Sequence, residues 1–234
     1  GHWTPIGERP DWTLLGRLLQ AANLDERPSV LDVGCFDGAF LATLPAAWQR
    51  FGIEINPAAS ERAATMGITM LGRDLEDLSR IDRRFSAVCA IDVIEHVVDP
   101  RAFLRSLAAA TEPGGVIAIA SGATDARSWR LMRSRYWYCA NPEHIAFINP
   151  EWCRRVAPQL GLELMSVTRY AHDVATLPVR LRQTAANVLY RFVPGLMRTL
   201  KKRFGALPPD ESYLAGPPAW STSRDHFIAV FRNP

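Results

Sequence analysis

Val30-Leu31-Asp32-Val33-Gly34-Cys35-Phe36-Asp37-Gly38-Ala39-Phe40 is the stretch that decides the fold. Apolar positions run into an acid, a short turn follows between two glycines, and an apolar helical start closes the segment. That order reads as a buried parallel strand, a tight loop and a helix whose N-terminus faces a ligand. Glycine suits such a loop because it accepts positive φ and lets a ligand approach the backbone. A helix N-terminus alone suits phosphate, but Asp32 and Asp37 place negative charge in the loop, so a ligand with a cationic end is expected.

The rest of the chain repeats the alternation. Phe51 to Ile55, Ile68 to Gly72, Phe85 to Ile91 and Val116 to Ala120 read as strands two to five. Helical patterns lie between them, one from about Gly38 to Trp48 with Pro45 interrupting it, others opening at Pro57 and Pro100. Strands alternating with helices argue a parallel, doubly wound sheet. Acids and hydroxyls gather just past the strands, at Asp37, Glu54, Asp74, Asp92 and Ser121, which is the edge where open α/β sheets bind ligands. Glu54, about 20 residues beyond the loop, is placed to accept hydrogen bonds from ribose hydroxyls. A nicotinamide-dependent dehydrogenase shares that acid. Here, however, the glycines follow G-x-x-x-G, and the acidic loop opposes a pyrophosphate.

Length and composition agree with one α/β domain and a cap, at 234 residues and 48% hydrophobic content. A net charge of +3 excludes an overall polybasic nucleic-acid binder, although the basic residues are unevenly spread. Cys35, Cys89, Cys139 and Cys153 lack zinc-like spacing and read as reduced thiols. No long apolar span or signal-like stretch appears, so a cytoplasmic enzyme is the expectation. Before the first strand, Trp12 and the periodic Leu14, Leu15, Leu18 and Leu19 form an amphipathic helix with Asp11 as its cap, and Trp3 is left open between packing and covering the ligand.

The set VLDVGCFDG, GIEINP, GRDL, AVCAIDVIEHV and LAAATEPGGVIAIAS resembles the class I S-adenosylmethionine-dependent methyltransferases. The nearest group within them contains the ubiquinone- and menaquinone-biosynthesis enzymes and many natural-product or sugar O-methyltransferases. The likeness covers about residues 28–122 closely. It implies a Rossmann-like, doubly wound, seven-stranded sheet. Leu162 to Tyr170 and His226 to Phe231 would be its last two strands, the last antiparallel and preceded by a helical insertion. One domain over 1–234 is expected, with an N-terminal cap at 1–27, the cofactor core at 28–122, a substrate cap at 123–149 and the insertion at 171–224. S-adenosylmethionine would be the cofactor and S-adenosylhomocysteine the product. Asp32, Gly34 and Gly38, with Cys35 and Phe36 in the same loop, match the turn around the methionine part. Glu54, followed by Ile55, matches the ribose-holding acid. Asp74 and Leu75 match the pair flanking adenine, and Asp92 lies at the sulfonium end. Phe36 departs from the pattern, since the family usually has glycine there.

Asp92, Glu95, His96 and the later His144 form a candidate cluster for a divalent cation, similar to the E-x-x-E-H…H pattern of small-RNA 2′-O-methyltransferases, with the shorter Asp92 at the first position. Glu-His at this place also occurs in family members without a metal, capping the next helix, and that reading is preferred. His144 alone offers a second chemistry, accepting a hydroxyl proton during methyl transfer. Asp92 and His144 are therefore the expected catalytic pair.

Trp129, Tyr136, Trp137, Tyr138 and Phe147 alternate with Arg127, Arg130, Arg133 and Arg135 in the segment that the resemblance makes a substrate cap. The rings would wall a small-molecule acceptor and the arginines hold an anionic group, or the rings pack down and the arginines are solvated, and both readings stand. The insertion has no acid between Asp173 and Asp210, and apolar and basic residues alternate over 180–204 with helical spacing, split by Pro194-Gly195. Such a face suits a membrane surface, a lipid-linked or phosphorylated substrate, or RNA; a solvated face on a helix that forms a homodimer or a lid is the preferred reading, and nucleic acid is not an expected partner. The reading reached is methyl transfer to a hydroxyl of a sugar or natural product. Its alternatives are a metal-dependent RNA 2′-O-methyltransferase and a cofactor-binding partner subunit without activity.

Overall fold

The computed structural model describes residues 9–22, 24, 26–204 and 216–234. Trp3, which the sequence left open, lies outside them, as do the side chains of Lys201 and Lys202 in the basic run.

Seven strands form one sheet: β1 (Ser29–Val33), β2 (Gln49–Ile53), β3 (Thr69–Gly72), β4 (Phe85–Ile91), β5 (Thr111–Gly122), β6 (Glu163–Tyr170) and β7 (His226–Arg232). Their order is β3-β2-β1-β4-β5-β7-β6. The first five run parallel, and β7 lies antiparallel between β5 and β6. The doubly wound arrangement with an antiparallel last strand is the one expected.

Both faces are covered, as the continuous apolar runs of a parallel sheet require. On β5, Ile117 and Ile119 enter one core with Leu31, Phe85 and Leu104, while Val116, Ala118 and Ala120 enter the other with Leu15, Leu19 and Phe40. The helices are α1 (Pro10–Gln20), α2 (Ala39–Ala42), α3 (Pro57–Thr65), α4 (Pro100–Ala109), α5 (Arg127–Met132), α6 (Pro150–Gln159), α7 (Leu177–Phe192) and α8 (Pro194–Phe204). Three of them start on the same device, a capping side chain followed by proline. Asn56 accepts from the N–H groups of Ala58 and Ala59, Asp99 from those of Arg101 and Ala102, and Asn149 from that of Trp152. Pro194 divides α7 from α8 as the sequence predicts.

Some boundaries differ. The helix expected from Gly38 to Trp48 is a single turn, because Pro45 forbids helical geometry at the residue before it. Strand five starts earlier, at Thr111, and takes in the Pro113-Gly114-Gly115 turn as a bulge against Phe85 and Ala87. Asp11 does not cap α1; Arg9 occupies that position, and Asp11 sits buried in the first turn.

Candidate functional site

The carboxyl ends of β1, β2, β3 and β4 open into a cleft of about 780 Å³. Nine of the ten residues expected at a cofactor line it: Asp32, Gly34, Cys35, Phe36, Glu54, Ile55, Asp74, Leu75 and Asp92. Gly38 does not. Its φ of 76° and its packing, where an added Cβ would meet Ile68 at 2.0 Å, make it a turn and packing glycine at the start of α2. Asp37 is also displaced from the expected role. Its carboxylate accepts from the Ala39 N–H at 3.1 Å and pairs with Arg62 at 3.6 Å, so it serves the helix and not the cleft.

The loop is held by Glu54. One carboxylate oxygen accepts from the Phe36 N–H at 2.8 Å and the other from the Asn56 N–H at 2.7 Å. Phe36 thereby stays at φ 47°, a conformation that costs a bulky residue energy and that glycine would adopt freely. This accounts for the family's glycine preference, and the half-exposed ring stands at the cleft wall. Gly34, at φ 80°, cannot be replaced, because a Cβ would lie 2.5 Å from Val93. At the end of β3, Asp74 fixes its own turn by accepting from the N–H groups of Glu76 and Asp77 at 2.8 and 3.1 Å.

Charge sets what the cleft accepts. Asp32 is 2% exposed and its Oδ1 has no partner among the described residues. Burial, reinforced by the nearby Glu54, raises its pKa well above the carboxylate range. Asp92 likewise keeps a buried, unpartnered Oδ1 and stands at φ 54°. Two orphaned carboxylate oxygens on the wall of one cleft fit a ligand bearing cationic and N–H groups, and they oppose a phosphate. Arg9, which the sequence gave no reason to single out, stacks on Trp12 at 5.0 Å and joins Asp11 at 2.5 Å to Asp92 at 3.0 Å. Burial opposes its charge, but the two carboxylates outweigh that and keep its pKa above the ordinary value.

S-adenosylmethionine fits this set. Asp32 and the Gly34–Phe36 turn would hold its methionine end, Glu54 its ribose, Asp74 and Leu75 its adenine, and Asp92 the sulfonium side.

Beyond Asp92, Glu95 is buried and accepts from the hydroxyls of Ser121, at 3.0 Å, and Tyr138. Burial, then the charge of Asp92, raises its pKa. The Glu95 carbonyl accepts from the N–H groups of Ile145 and Ala146, which pins the cap loop. His96 and His144 each meet a backbone carbonyl through Nδ1, of Glu143 at 3.0 Å and Tyr138 at 2.9 Å, with ring centroids 4.9 Å apart. Glu95, His96 and His144 place one ligand atom each within 4.8 Å of one another, and Asp92 is not in that group. Both Glu95 carboxylate oxygens already hold a hydroxyl, which a divalent cation would have to displace. The group is a hydrogen-bonded clasp between β4 and the cap. His96 lines the cleft, and the partly exposed His144, expected at the substrate mouth, stands next to it with the two rings 4.9 Å apart. Burial lowers the His144 pKa, with the Tyr138 carbonyl opposing.

In the cap, Trp129, Tyr136 and Tyr138 are buried and packed on one another at 5.1 and 5.3 Å, so packing claims these rings, while Phe147 stays exposed. Arg127 joins Arg180 and Arg224 around a smaller hollow of about 270 Å³.

Comparison with known proteins agrees with this geometry. A family model described as a methyltransferase domain matches residues 11–167. A ubiquinone biosynthesis O-methyltransferase of Methylobacterium nodulans is 35% identical over 115 residues, 45% of this chain and 45% of that protein. The enzyme of the same name from Coxiella burnetii (strain Dugway 5J108-111) is 24% identical over 183 residues, 71% of this chain and 78% of its own. The chain spans about half the length of the first of these relatives. The N-methyltransferase NodS from Bradyrhizobium japonicum, solved with S-adenosylhomocysteine, shares the fold with a TM-score of 0.57 at 17% identity, over 96% of this chain and 86% of that one. By its family match, its sheet order and its acidic cleft, the chain belongs to the class I S-adenosylmethionine-dependent methyltransferases.

Proposed function

We propose that the protein moves a methyl group from S-adenosylmethionine to a hydroxyl of a small ring-bearing molecule, such as a sugar, a natural product or a phenolic quinone precursor. The cofactor supplies an electrophilic methyl on a sulfonium and leaves as a neutral thioether. The chain's part is to align the acceptor, exclude water and receive a proton.

The observation carrying the hydroxyl reading is what surrounds Asp92. Asp92 shares the cleft wall with the His96 imidazole, whose ring lies 4.9 Å from that of His144, and the Tyr138 ring lies 4.1 Å from His144 in turn. A hydroxyl sheds its proton as it attacks, so an acceptor side rich in imidazoles and phenols suits it. A neutral amine attacks with a lone pair already available and needs no such wall. Within this reading Asp92 orients the reacting groups, and His144 supports the acceptor wall through the carbonyl of Tyr138. The names of the M. nodulans and C. burnetii relatives point the same way.

The test is methyl transfer from cofactor labelled with tritium on the methyl group to a panel of hydroxylated and amine acceptors. Label in ether products supports the reading; label only in amines overturns it.

A further inference from the structure

The carboxyl edge continues past Asp92 into residues that the cofactor site does not use. The Asp92 N–H donates to the Ala120 carbonyl on β5 at 3.0 Å. Two residues on, Gly122 is in register with His226 of β7, and His226 with Tyr170 of β6. With strands about 4.8 Å apart, the His226 backbone lies roughly 10 Å along the edge from that of Asp92.

A buried chain of groups begins there. The Asp225 carboxylate accepts from the Tyr136 hydroxyl and from His226 Nδ1, the latter at 2.9 Å, and Asp225 and His226 are 0% and 1% exposed. Bonding to a carboxylate places the His226 proton on Nδ1, so its Nε2 carries a lone pair. His172 Nε2 lies 3.2 Å from that atom. Only one proton fits between the two nitrogens, and His172 supplies it. Its Nδ1 is then left as a proton acceptor. A proton arriving there charges the imidazole pair, and Asp225 stabilises that charge as the buried acid of a catalytic triad does.

Two aromatic side chains enclose the pair. The Tyr170 ring lies 5.8 Å from His172 and 5.7 Å from His226, and Trp137 stacks on His226 at 5.9 Å and stands 6.3 Å from His172. The Tyr170 hydroxyl is buried with no hydrogen-bond partner among the described residues, while Trp137 packs beside Tyr136 and walls the pair. Buried donors are almost always paired, so an orphaned phenol next to an imidazole pair calls for a ligand. A hydroxyl answers both, its oxygen accepting from Tyr170 and its hydrogen donating to His172. The charged groups facing His172 are His226, Asp92, Asp225 and Asp11; burial, then His226, holds its pKa down and keeps it neutral and ready to accept.

We propose that Tyr170, Trp137 and His172 form the subsite for the acceptor hydroxyl, and that the His172–His226–Asp225 chain takes up the proton the acceptor loses. This rests on the hydroxyl reading above. In the step, the acceptor O–H bond breaks and an O–C bond forms to the methyl carbon. The electron pair of the broken C–S bond stays on sulfur, and the proton arrives at His172 Nδ1. His172 is the catalytic residue of this arrangement; His226 and Asp225 act through it as positioning residues.

The direct test is ¹⁵N NMR of the histidine rings in the protein loaded with S-adenosylhomocysteine, with catechol as the hydroxyl probe. His172 is expected as the Nε2–H tautomer near pH 8, with catechol moving the His172 and His226 signals. Tyr170→Phe should weaken catechol about tenfold through the lost hydrogen bond, with the affinity for S-adenosylhomocysteine unchanged. His172 found as the Nδ1–H tautomer overturns the proposal, as do catechol shifts confined to His96 and His144. In turnover, His172→Gln should lower kcat by about a hundredfold with KM little changed, and Asp225→Asn should displace the acidic limb of the kcat profile. Wild-type kcat and pH profile in both variants would also overturn it. Label transferred only to amines would defeat the hydroxyl reading separately, while the ring tautomer and the catechol shifts still decide the subsite.

Discussion

Replacing Asp32 with asparagine should change stability and ligand affinity in opposite directions. Asp32 is 2% exposed, one of its oxygens lacks a partner, and Glu54 adds repulsion. The amide keeps the shape and removes the charge. Relief of a buried, unpaired charge is worth about 2 kcal/mol, and for a domain of this size that raises Tm by roughly 4–8 °C. The gain depends on pH with a definite sign. A folded-state pKa raised above the unfolded value means that the native protein holds the proton which the unfolded chain releases, from about pH 4 upward. Wild-type stability therefore falls as pH rises from about 4 toward the folded-state pKa, and the advantage of Asp32→Asn, absent near pH 4, is larger at about pH 8. The affinity for S-adenosylhomocysteine should drop, because a charge-assisted hydrogen bond contributes about 1.5–3 kcal/mol, or roughly 10- to 150-fold. Thermal melts at the two pH values and a calorimetric titration measure both effects. A variant that melts earlier than wild type at both pH values, with unchanged affinity, would refute the reasoning and make Asp32 a structural residue.

Three further outcomes follow from the site. Tyr138→Phe removes one of the two hydroxyls on buried Glu95 and should cost about 1–3 kcal/mol of stability, read from denaturant melts, because the clasp under the cap loses a partner. EDTA should leave methyl transfer intact, since the Glu95–His96–His144 group is a clasp; restoration of an EDTA-abolished rate by Mg²⁺ or Mn²⁺ would show otherwise. The α7 surface exposes Leu177, Leu181 and Phe192 beside Arg180 and Arg182, and co-flotation with anionic but not neutral vesicles is expected if it meets a membrane surface. Absence of flotation with either removes that role.

Much of the cleft was legible because a parallel sheet gathers the residues after its strands at one edge. Asp32, Glu54, Asp74 and Asp92 each follow an apolar run, and topology alone brings them together. The same logic misplaced Asp37 and Gly38, because a residue after a strand can face the cleft or start the next helix, and spacing does not separate the two. Arg9 was illegible for a different reason. It meets Asp92 across 83 positions, and its charge looks like any surface arginine until α1 folds over the edge. The His172–His226 pair joins residues 54 apart, one just past the end of β6 and one at the start of β7, and no local pattern encodes the antiparallel register that brings them together. The cap aromatics stayed open between two readings, since periodic rings next to arginines look the same whether they wall a ligand or fill a core, and Trp129, Tyr136 and Tyr138 turn out to fill the core. Among the described residues no helix is long and apolar enough to cross a membrane, which agrees with the absence of such a run in the sequence.

The central claim is that an acidic cleft at the ends of β1 to β4 holds S-adenosylmethionine. Calorimetric titration of the protein with S-adenosylhomocysteine, with NADH run beside it, tests that most directly. One S-adenosylhomocysteine is expected to bind per chain, weakened by Asp32→Asn, with no heat from NADH; saturable NADH binding with none of S-adenosylhomocysteine would contradict the claim.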